Sequence, residues 1–374
     1  MEKAFVYGMS VSGNNFTDRI AETKRIKADF EHGINVILIS PRRMGKTSLI
    51  KKVISEIDNP MLKIVYMDIY DCRSEYDFYN RFAETIMKST GKQIDQIMEN
   101  IKRFLVRVSP KISFSPDPTS EFSLSLGITP KDYSPKEILN LPEQIAKEQG
   151  VRIVVCIDEF QQIGEFTDSL TVQKRLRGTW QHHQSVSYCF FGSKKHLMEN
   201  IFQSRRMPFY QFGEMLHLEC IPTEYWVPFI CSRFEKYGKH ISKEYATRIC
   251  EMVKNYSSYV QQLAWNVMAE TEKEVDEECL QNGINTLLQQ CSGLFIQQTE
   301  GLTTYQLNFI RLLCNDIHSG FTVQSIADTY PLGSKSNIDR IKKALENREI
   351  ITTTKDGVFL ADCVFELWFK KEMM

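Results

Sequence analysis

The chain has 374 residues, 42% of them hydrophobic and 25% charged, with 46 Lys and Arg against 47 Asp and Glu for a formal net charge of −1. This ordinary globular composition has room for two or three domains, and its charge balance excludes wrapping along a polyanion by bulk electrostatics, so any nucleic-acid contact has to be local. The ten cysteines fall mostly inside apolar runs, as at Cys156 and Cys189, without a Cys-x-x-Cys pair, which fits reduced thiols in a cytoplasmic protein and argues against a disulfide frame or a zinc site.

The first predicted element is a helix entered by the polar turn Asn15-Phe16-Thr17-Asp18, with Asn15 or Thr17 as its cap and Ile20, Ile26 and Phe30 on its packed side. The apolar run 34–39 predicts a buried parallel strand. It breaks at Ser40-Pro41, and a helix pattern restarts after Lys46-Thr47 with Leu49, Ile50, Val53, Ile54 and Ile57 on its apolar face. The connection Ser40-Pro41-Arg42-Arg43-Met44-Gly45-Lys46-Thr47-Ser48 resembles the Walker A phosphate loop G-x-x-x-x-G-K-[ST], with Ser40 where the first glycine stands. In such a loop backbone N–H groups curl around an anionic phosphate, and the following helix adds its positive end. Lys46 would reach the outer phosphates. Thr47 would offer its hydroxyl to Mg2+, because a cation bridging two phosphates needs a protein oxygen there. A serine at position 40 takes the most permissive backbone residue out of the loop start.

Residues 63–71 predict a second buried strand, followed by a helix through Phe78, Phe82, Ile86 and Met87. Apolar residues then alternate on either side of Pro116-Asp-Pro-Thr-Ser120, so 104–128 predicts a β-hairpin inserted into the α/β core, a lid edge or a partner surface. After a helix at 136–149, the run Arg152-Ile-Val-Val-Cys-Ile-Asp-Glu-Phe160 resembles a Walker B strand that delivers two carboxylates beside the phosphate loop. Asp158 would hold Mg2+ through its water shell, and Glu159 would orient or deprotonate an attacking water. Next come Arg175-Leu-Arg-Gly-Thr-Trp180, a strand over 186–193 ending in Ser193, the pair Arg205-Arg206, and a strand over 215–221 that completes five parallel strands.

From 223 to about 288 the apolar spacing is helical. From 304 onward three helices precede a two-stranded wing about Lys355-Asp-Gly357. The third of these helices carries Lys335, Arg340, Lys342, Lys343 and Arg348 against Asp339 and Glu346, whereas residues 302–374 as a whole hold nine basic and nine acidic side chains. A balanced segment neutralises few phosphates, so a DNA reading depends on that one helix, and contact with protein stands level with it. The N-terminal apolar stretch is too short for a signal peptide, and no run approaches the ~18 apolar residues of a membrane span, so no membrane contact is expected.

The order of motifs, the Asp-Glu-Phe ending of the Walker B strand, the helical segment and the terminal helix–wing pattern together resemble the archaeal-type P-loop ATPases, whose relatives include AAA+ and STAND proteins. The resemblance implies an α/β P-loop NTPase core with a parallel sheet of about five strands at 1–221, interrupted by the hairpin at 104–128. An all-α lid at 222–300 and a C-terminal winged helix at 301–374 would follow. It implies that Phe16, Arg19 and Glu22 match an F-x-x-R-x-x-E box near the adenine, and that Ser193 is a sensor of the γ-phosphate. Arg205 or Arg206 would be a finger reaching a neighbouring copy in a homo-oligomer, with Arg175 and Arg177 as weaker candidates. Residues 255–263 lack the Gly, the Pro and the arginine of the family's second sensor, so no residue is carried over there. The implied activity is Mg2+-dependent binding and hydrolysis of ATP, coupled to movement of the lid and winged helix, acting on duplex DNA; the alternative is a slow ATP/ADP switch that binds a protein partner. Adenine rather than guanine rests on the resemblance, since no N-K-x-D guanine-reading motif is evident.

Overall fold

The computed structural model describes residues 3–90 and 135–374; the hairpin expected at 104–128 lies outside the described residues. The chain divides into two compact units. One comprises Arg19–Arg42 and Lys46–Glu219, the other Met1–Asp18, Arg43–Gly45 and Cys220–Met374.

The first unit is built on five strands in the order β2-β3-β4-β1-β5: β1 (Val36–Ile39), β2 (Leu62–Asp68), β3 (Arg152–Asp158), β4 (Val186–Phe191) and β5 (Glu214–His217). Every pairing is parallel, as the near-continuous apolar runs require, because a parallel sheet is covered on both faces. The fifth strand is shorter than the 215–221 run suggests. It is the sheet's edge, and its alternating half-exposure shows a strand covered on one side only.

Side-chain parity divides the sheet into two faces. Ile37, Ile39, Val65, Met67, Ile153, Val155, Ile157, Tyr188 and Phe190 share one core with α3 (Glu75–Thr90), α4 (Pro135–Gln149), α5 (Ser169–Trp180) and α6 (Lys195–Gln203). At the centre of that core an aromatic cluster surrounds Phe190, with ring centroids 4.3 Å away for Phe160, 5.4 Å for Phe202, 5.8 Å for Tyr188 and 5.9 Å for Trp180. Residues of the other parity, among them Tyr66, Cys156 and Asp158, face α2 (Lys46–Glu56). The Lys51 ammonium of that helix lies 5.6 Å from the centroid of the Tyr66 ring. Helix α1 (Ile20–His32) packs beside α2 through buried Ile26 and Phe30. The helices that follow β1 and β4 thus leave the sheet on opposite faces, and their divergence opens a crevice at the carboxyl ends of these neighbouring strands.

The start of α1 differs from the expected cap. Neither Asn15 nor Thr17 caps it; Arg19 does so with a left-handed backbone (φ 66°) and no side-chain bond. Asp18 is left-handed as well, so the chain reverses immediately before the helix, and Asn15 is held upstream in a short 3-10 turn. At the other end Gly33 takes the left-handed conformation (φ 73°) and donates its N–H to the Asp29 and Phe30 carbonyls, a helix stop that glycine adopts without strain.

The second unit has its own continuous core, running from Trp226, Ile230 and Phe234 through Leu287 and Phe295 to Leu313, Leu345 and Phe369. Its helices are α7 (Thr223–Lys236), α8 (Lys243–Met252), α9 (Ser257–Glu270), α10 (Glu277–Thr299), α11 (Thr304–Cys314), α12 (Gln324–Thr329), α13 (Lys335–Asn347) and α14 (Cys363–Glu372). Thr303 and Gln306 form a reciprocal capping box at α11, and Ser334 caps α13. Between α13 and α14 the antiparallel strands β6 (Ile351–Thr354) and β7 (Gly357–Leu360) close a hairpin around Lys355-Asp356. A Cβ at Gly357 would lie 2.7 Å from the His318 carbonyl oxygen, so only glycine fits that corner. Among the described residues no helix is long and apolar enough to cross a membrane.

Candidate functional site

The loop that leaves β1 enters α2 at Lys46. Its left-handed residues are Arg43 (φ 67°) and Gly45 (φ 87°), not Ser40. Position 45 therefore holds the glycine the backbone needs, and a serine at 40 costs the loop no strain. Ser40 also contributes something glycine lacks. The buried Lys46 ammonium donates to the Ser40 carbonyl at 3.0 Å, to Ser40 Oγ at 3.1 Å and to the Pro41 carbonyl at 2.7 Å, so the serine hydroxyl completes its cradle. The left-handed non-glycine residue Arg43 is the strained position of the loop.

Burial pushes the Lys46 ammonium down to about 8, against the pull of Glu159 and Asp158, with Arg42 adding to the depression. Because its ordinary value is 10.5, the unfolded chain holds more protons between the two values, and Lys46 therefore makes stability rise as pH climbs from about 8 to 10.5. A bound phosphate favours the charged ammonium and moves the balance the other way. Binding of a phosphate-bearing ligand should thus take up a proton near pH 8, and affinity should fall as pH rises above it. Calorimetric titration with ADP at pH 8 in two buffers of different ionisation enthalpy measures that uptake; identical heats in both would remove the linkage.

At the second position of α2, Thr47 Oγ1 donates to Asp158 Oδ2 at 2.9 Å, and the Tyr66 hydroxyl of β2 donates to the same oxygen at 2.8 Å. The other oxygen, Oδ1, accepts the Glu159 N–H at 2.9 Å. Burial raises the Asp158 carboxyl, with the Tyr66 and Thr47 hydrogen bonds pulling it back. Burial and Asp158 together push the Tyr66 phenol upward, so it stays a donor. The donor set is a hydroxyl and a desolvated carboxylate, both hard oxygens, beside a phosphate loop. That fits Mg2+, which takes one or two protein oxygens and completes its shell with water and phosphate. Among the described residues no group of three His, Cys, Asp or Glu could hold a metal by protein side chains alone.

Glu159 follows in a left-handed conformation (φ 56°, ψ 36°) that turns the chain out of β3. Its Oε2 accepts from Ser193 Oγ at 2.8 Å, from the Ser193 N–H at 3.3 Å and from Gln161 Nε2. The two residues predicted separately, a base on β3 and a polar residue after β4, thus sit on one another. Gln161 is buried, and a Cβ at Gly192 would fall 1.7 Å from its Oε1, so glycine before Ser193 is what admits the amide that steers Glu159. Sequence reading missed Tyr66, Gln161 and Gly192. Tyr66 comes beside Asp158 only through the β2–β3 register, in which Asp68 faces Asp158, and the sequence does not show that register.

The remaining predicted residues lie elsewhere. Arg19 pairs with Glu22 at 2.8 Å, while Phe16 belongs to the other compact unit. Arg205 and Arg206 are exposed in the turn after α6. Arg175 pairs with Glu75 at 2.7 Å, and Arg177 stacks 4.4 Å from the Phe212 ring centroid. On α13 Lys335, Arg340 and Lys343 are exposed and Lys342 is half-buried. Lys335, Asp339, Lys342 and Glu346 recur every three or four residues and form a strip of alternating sign, so the basic face is not continuous.

The tip of the loop, Arg43–Gly45, counts with the C-terminal unit. Within that unit the Arg43 guanidinium pairs with Asp362 and lies 4.4 Å from the centroid of the Tyr259 ring. The Tyr259 hydroxyl donates to the same Asp362 oxygen at 2.6 Å, and the other oxygen of Asp362 caps α14 through the N–H groups of Val364 and Phe365.

No protein-family model and no curated protein sequence matches this chain significantly. Among solved structures it is similar over 98% of its length to the whole of the Walker-type ATPase Paby2304 of Pyrococcus abyssi, with 14% identity and a TM-score of 0.71. It is also similar to the ORC2 protein of Aeropyrum pernix in its ADPNP–ADP complexes, with 13% identity, 99% of this chain and 98% of that one covered, and a TM-score of 0.58. At such identities the likeness is one of fold: the chain has the P-loop NTPase fold, as the resemblance in its sequence implied.

Proposed function

We propose that the chain binds ATP with Mg2+ and hydrolyses it. The observation that carries this reading is the convergence of the Lys46 cradle, the Thr47–Asp158 pair and the Glu159–Ser193 pair at the carboxyl ends of β1, β3 and β4. Mg2+, held through Thr47 and the water shell of Asp158, would supply charge neutralisation at the β- and γ-phosphates. Loop amides and Lys46 hold the phosphates. Glu159 orients a water for in-line attack on the γ-phosphorus and takes its proton. The bond to the bridging oxygen breaks, leaving ADP and inorganic phosphate. Ser193, tied to Glu159, positions that carboxylate, and the exposed Arg205 or Arg206 is the candidate to act on a neighbouring copy's nucleotide. The similarity to proteins described as a Walker-type ATPase and as ADPNP and ADP complexes supports adenine, for which Phe16, Arg19 and Glu22 are the candidate contacts.

In this reading residues 1–221 form the ATPase core, 222–300 a helical lid and 301–374 a winged helix whose α13 meets duplex DNA through Lys335, Arg340, Lys342 and Lys343. A second reading is favoured by Arg43. Arg43 counts with the C-terminal unit, where it pairs with Asp362, whose other oxygen caps α14, and a slow nucleotide switch acting on a protein partner would draw on such a pairing. ATP turnover with Mg2+, with and without duplex DNA, beside Lys46→Ala separates them. Losing a charge-assisted phosphate contact of ~1.5–3 kcal/mol, the variant should bind nucleotide on the order of tenfold to a hundredfold more weakly and turn over at background. DNA stimulation of the native protein supports the first reading. Tight ADP retention with turnover indifferent to DNA supports the second, and native affinity in Lys46→Ala would refute both.

A further inference from the structure

At the opposite edge of the sheet, where the strands begin, a polar cavity of about 370 Å³ opens between β2, β3 and β4 and the end of α5. Two arginines line it: Arg152, the first residue of β3, and Arg177, on the last turn of α5. The Arg152 guanidinium reaches Gly33, its Nη1 lying 3.8 Å from where a Cβ at that position would stand, an ordinary contact distance. Arg177 is fixed by stacking on Phe212 at 4.4 Å. No Asp or Glu lines the cavity, and among the described residues neither guanidinium makes an ion pair. Glu143, which meets the lining residues Gln184 and Ser185, is already engaged: it accepts their N–H groups and pairs with Lys147 at 3.0 Å. His183 adds no charge. It accepts from the Tyr188 hydroxyl at 2.9 Å and meets Asn140 Oδ1 at 3.1 Å, and burial pushes it down to about 4.

Two half-buried cations without a counter-anion are costly, and a ligand that brings the missing charge offsets that cost. The guanidinium fork suits phosphate oxygens, while the amides and hydroxyl of Gln181, Gln184 and Ser187 around it suit a hydroxylated body rather than a flat ring. The volume lies near the lower end of small-molecule sites, roughly 300–1,000 Å³. We infer that this cavity is a second anion site, separate from the phosphate loop, that takes a small hydroxylated phosphate monoester of sugar-phosphate type between Arg152 and Arg177.

The test uses the full chain carrying Lys46→Ala, so that the phosphate loop contributes little, with ribose 5-phosphate as the probe and ribose and succinate as controls, read by calorimetry and thermal unfolding. Saturable binding of ribose 5-phosphate is expected, with ribose silent and succinate at least tenfold weaker. Adding Arg152→Gln or Arg177→Gln should weaken the ester on the order of tenfold to a hundredfold without lowering the unliganded midpoint. Arg152→Lys and Arg177→Lys, which keep the charge but lose the fork and are less apt to disturb folding, should fall between. Absence of binding, binding that survives both glutamine variants, or succinate binding as tightly as the ester would overturn the assignment. Because the assay runs on a chain with a disabled phosphate loop, its outcome is independent of whether the protein hydrolyses ATP.

Discussion

Glu159→Gln should reduce ATP turnover by ~10²–10⁴-fold, the range lost when a positioned general base is removed. The substitution is nearly isosteric, and its amide oxygen can still accept from Ser193 Oγ, which now lies 2.8 Å from the carboxylate. Structure and phosphate contacts are therefore retained, and what disappears is the capacity to take a proton from water. Nucleotide affinity should stay within about threefold of the native value, because only an interaction made in the transition state has gone. Single-turnover hydrolysis beside equilibrium binding of ADP measures both quantities. A variant that turns over within a few-fold of the native rate would remove Glu159 from the role of base.

The largest effect on stability is expected from Phe190→Ala. The ring is fully buried near the carboxyl end of β4 and meets aromatic side chains from α5, α6, the turn after β3 and the segment before β5. Truncating a buried Phe to Ala costs ~3–5 kcal/mol through lost transfer energy and the cavity left behind, and neighbours that are themselves rigid rings close that space poorly. For a unit of this size each kcal/mol moves the midpoint by roughly 2–4 °C, so the sheet-bearing unit should melt on the order of 10 °C lower. Because the chain has two units, the shift should be read with a probe of the first, such as Trp180 fluorescence. An unchanged transition would mean that the cluster fills space without holding the sheet.

Much of this architecture was legible because parallel strands announce themselves. Runs such as Ile153–Ile157 are apolar at every position, and the charged residues that end them sit where the phosphate loop lies. What the sequence hid were contacts that depend on register and on local backbone. Tyr66 reads as one more apolar strand residue until its pairing with Cys156 places it two positions from Asp158. Gln161 reads as a surface amide after a turn, yet it is buried because Glu159 is left-handed and folds the chain back beneath β4. Ser40 looked like a departure from the loop pattern. The departure carries no strain, since the left-handed glycine the loop needs is Gly45. The arginines of the second cavity belong to no motif: Arg152 is the polar start of a strand, Arg177 is a helix end, and only the fold sets them side by side.

The position of β1 inside the sheet has a consequence for how the protein comes into being. Its hydrogen-bonding neighbours are β4, Val36 facing Cys189, and β5, Val36 facing Glu214. The strand that carries the phosphate loop is made before both of these neighbours, and it stays without a partner until well over a hundred further residues have been added. Nonlocal pairings of this kind fold slowly and leave an apolar edge open in the meantime. A nascent chain cut short before β4 would expose Val36–Ile39 as a bare, fully apolar ribbon. Premature termination or slow elongation in this interval should therefore produce aggregates rather than a smaller nucleotide-binding fragment, and folding helpers that shield extended apolar segments should matter most before residue 217 emerges.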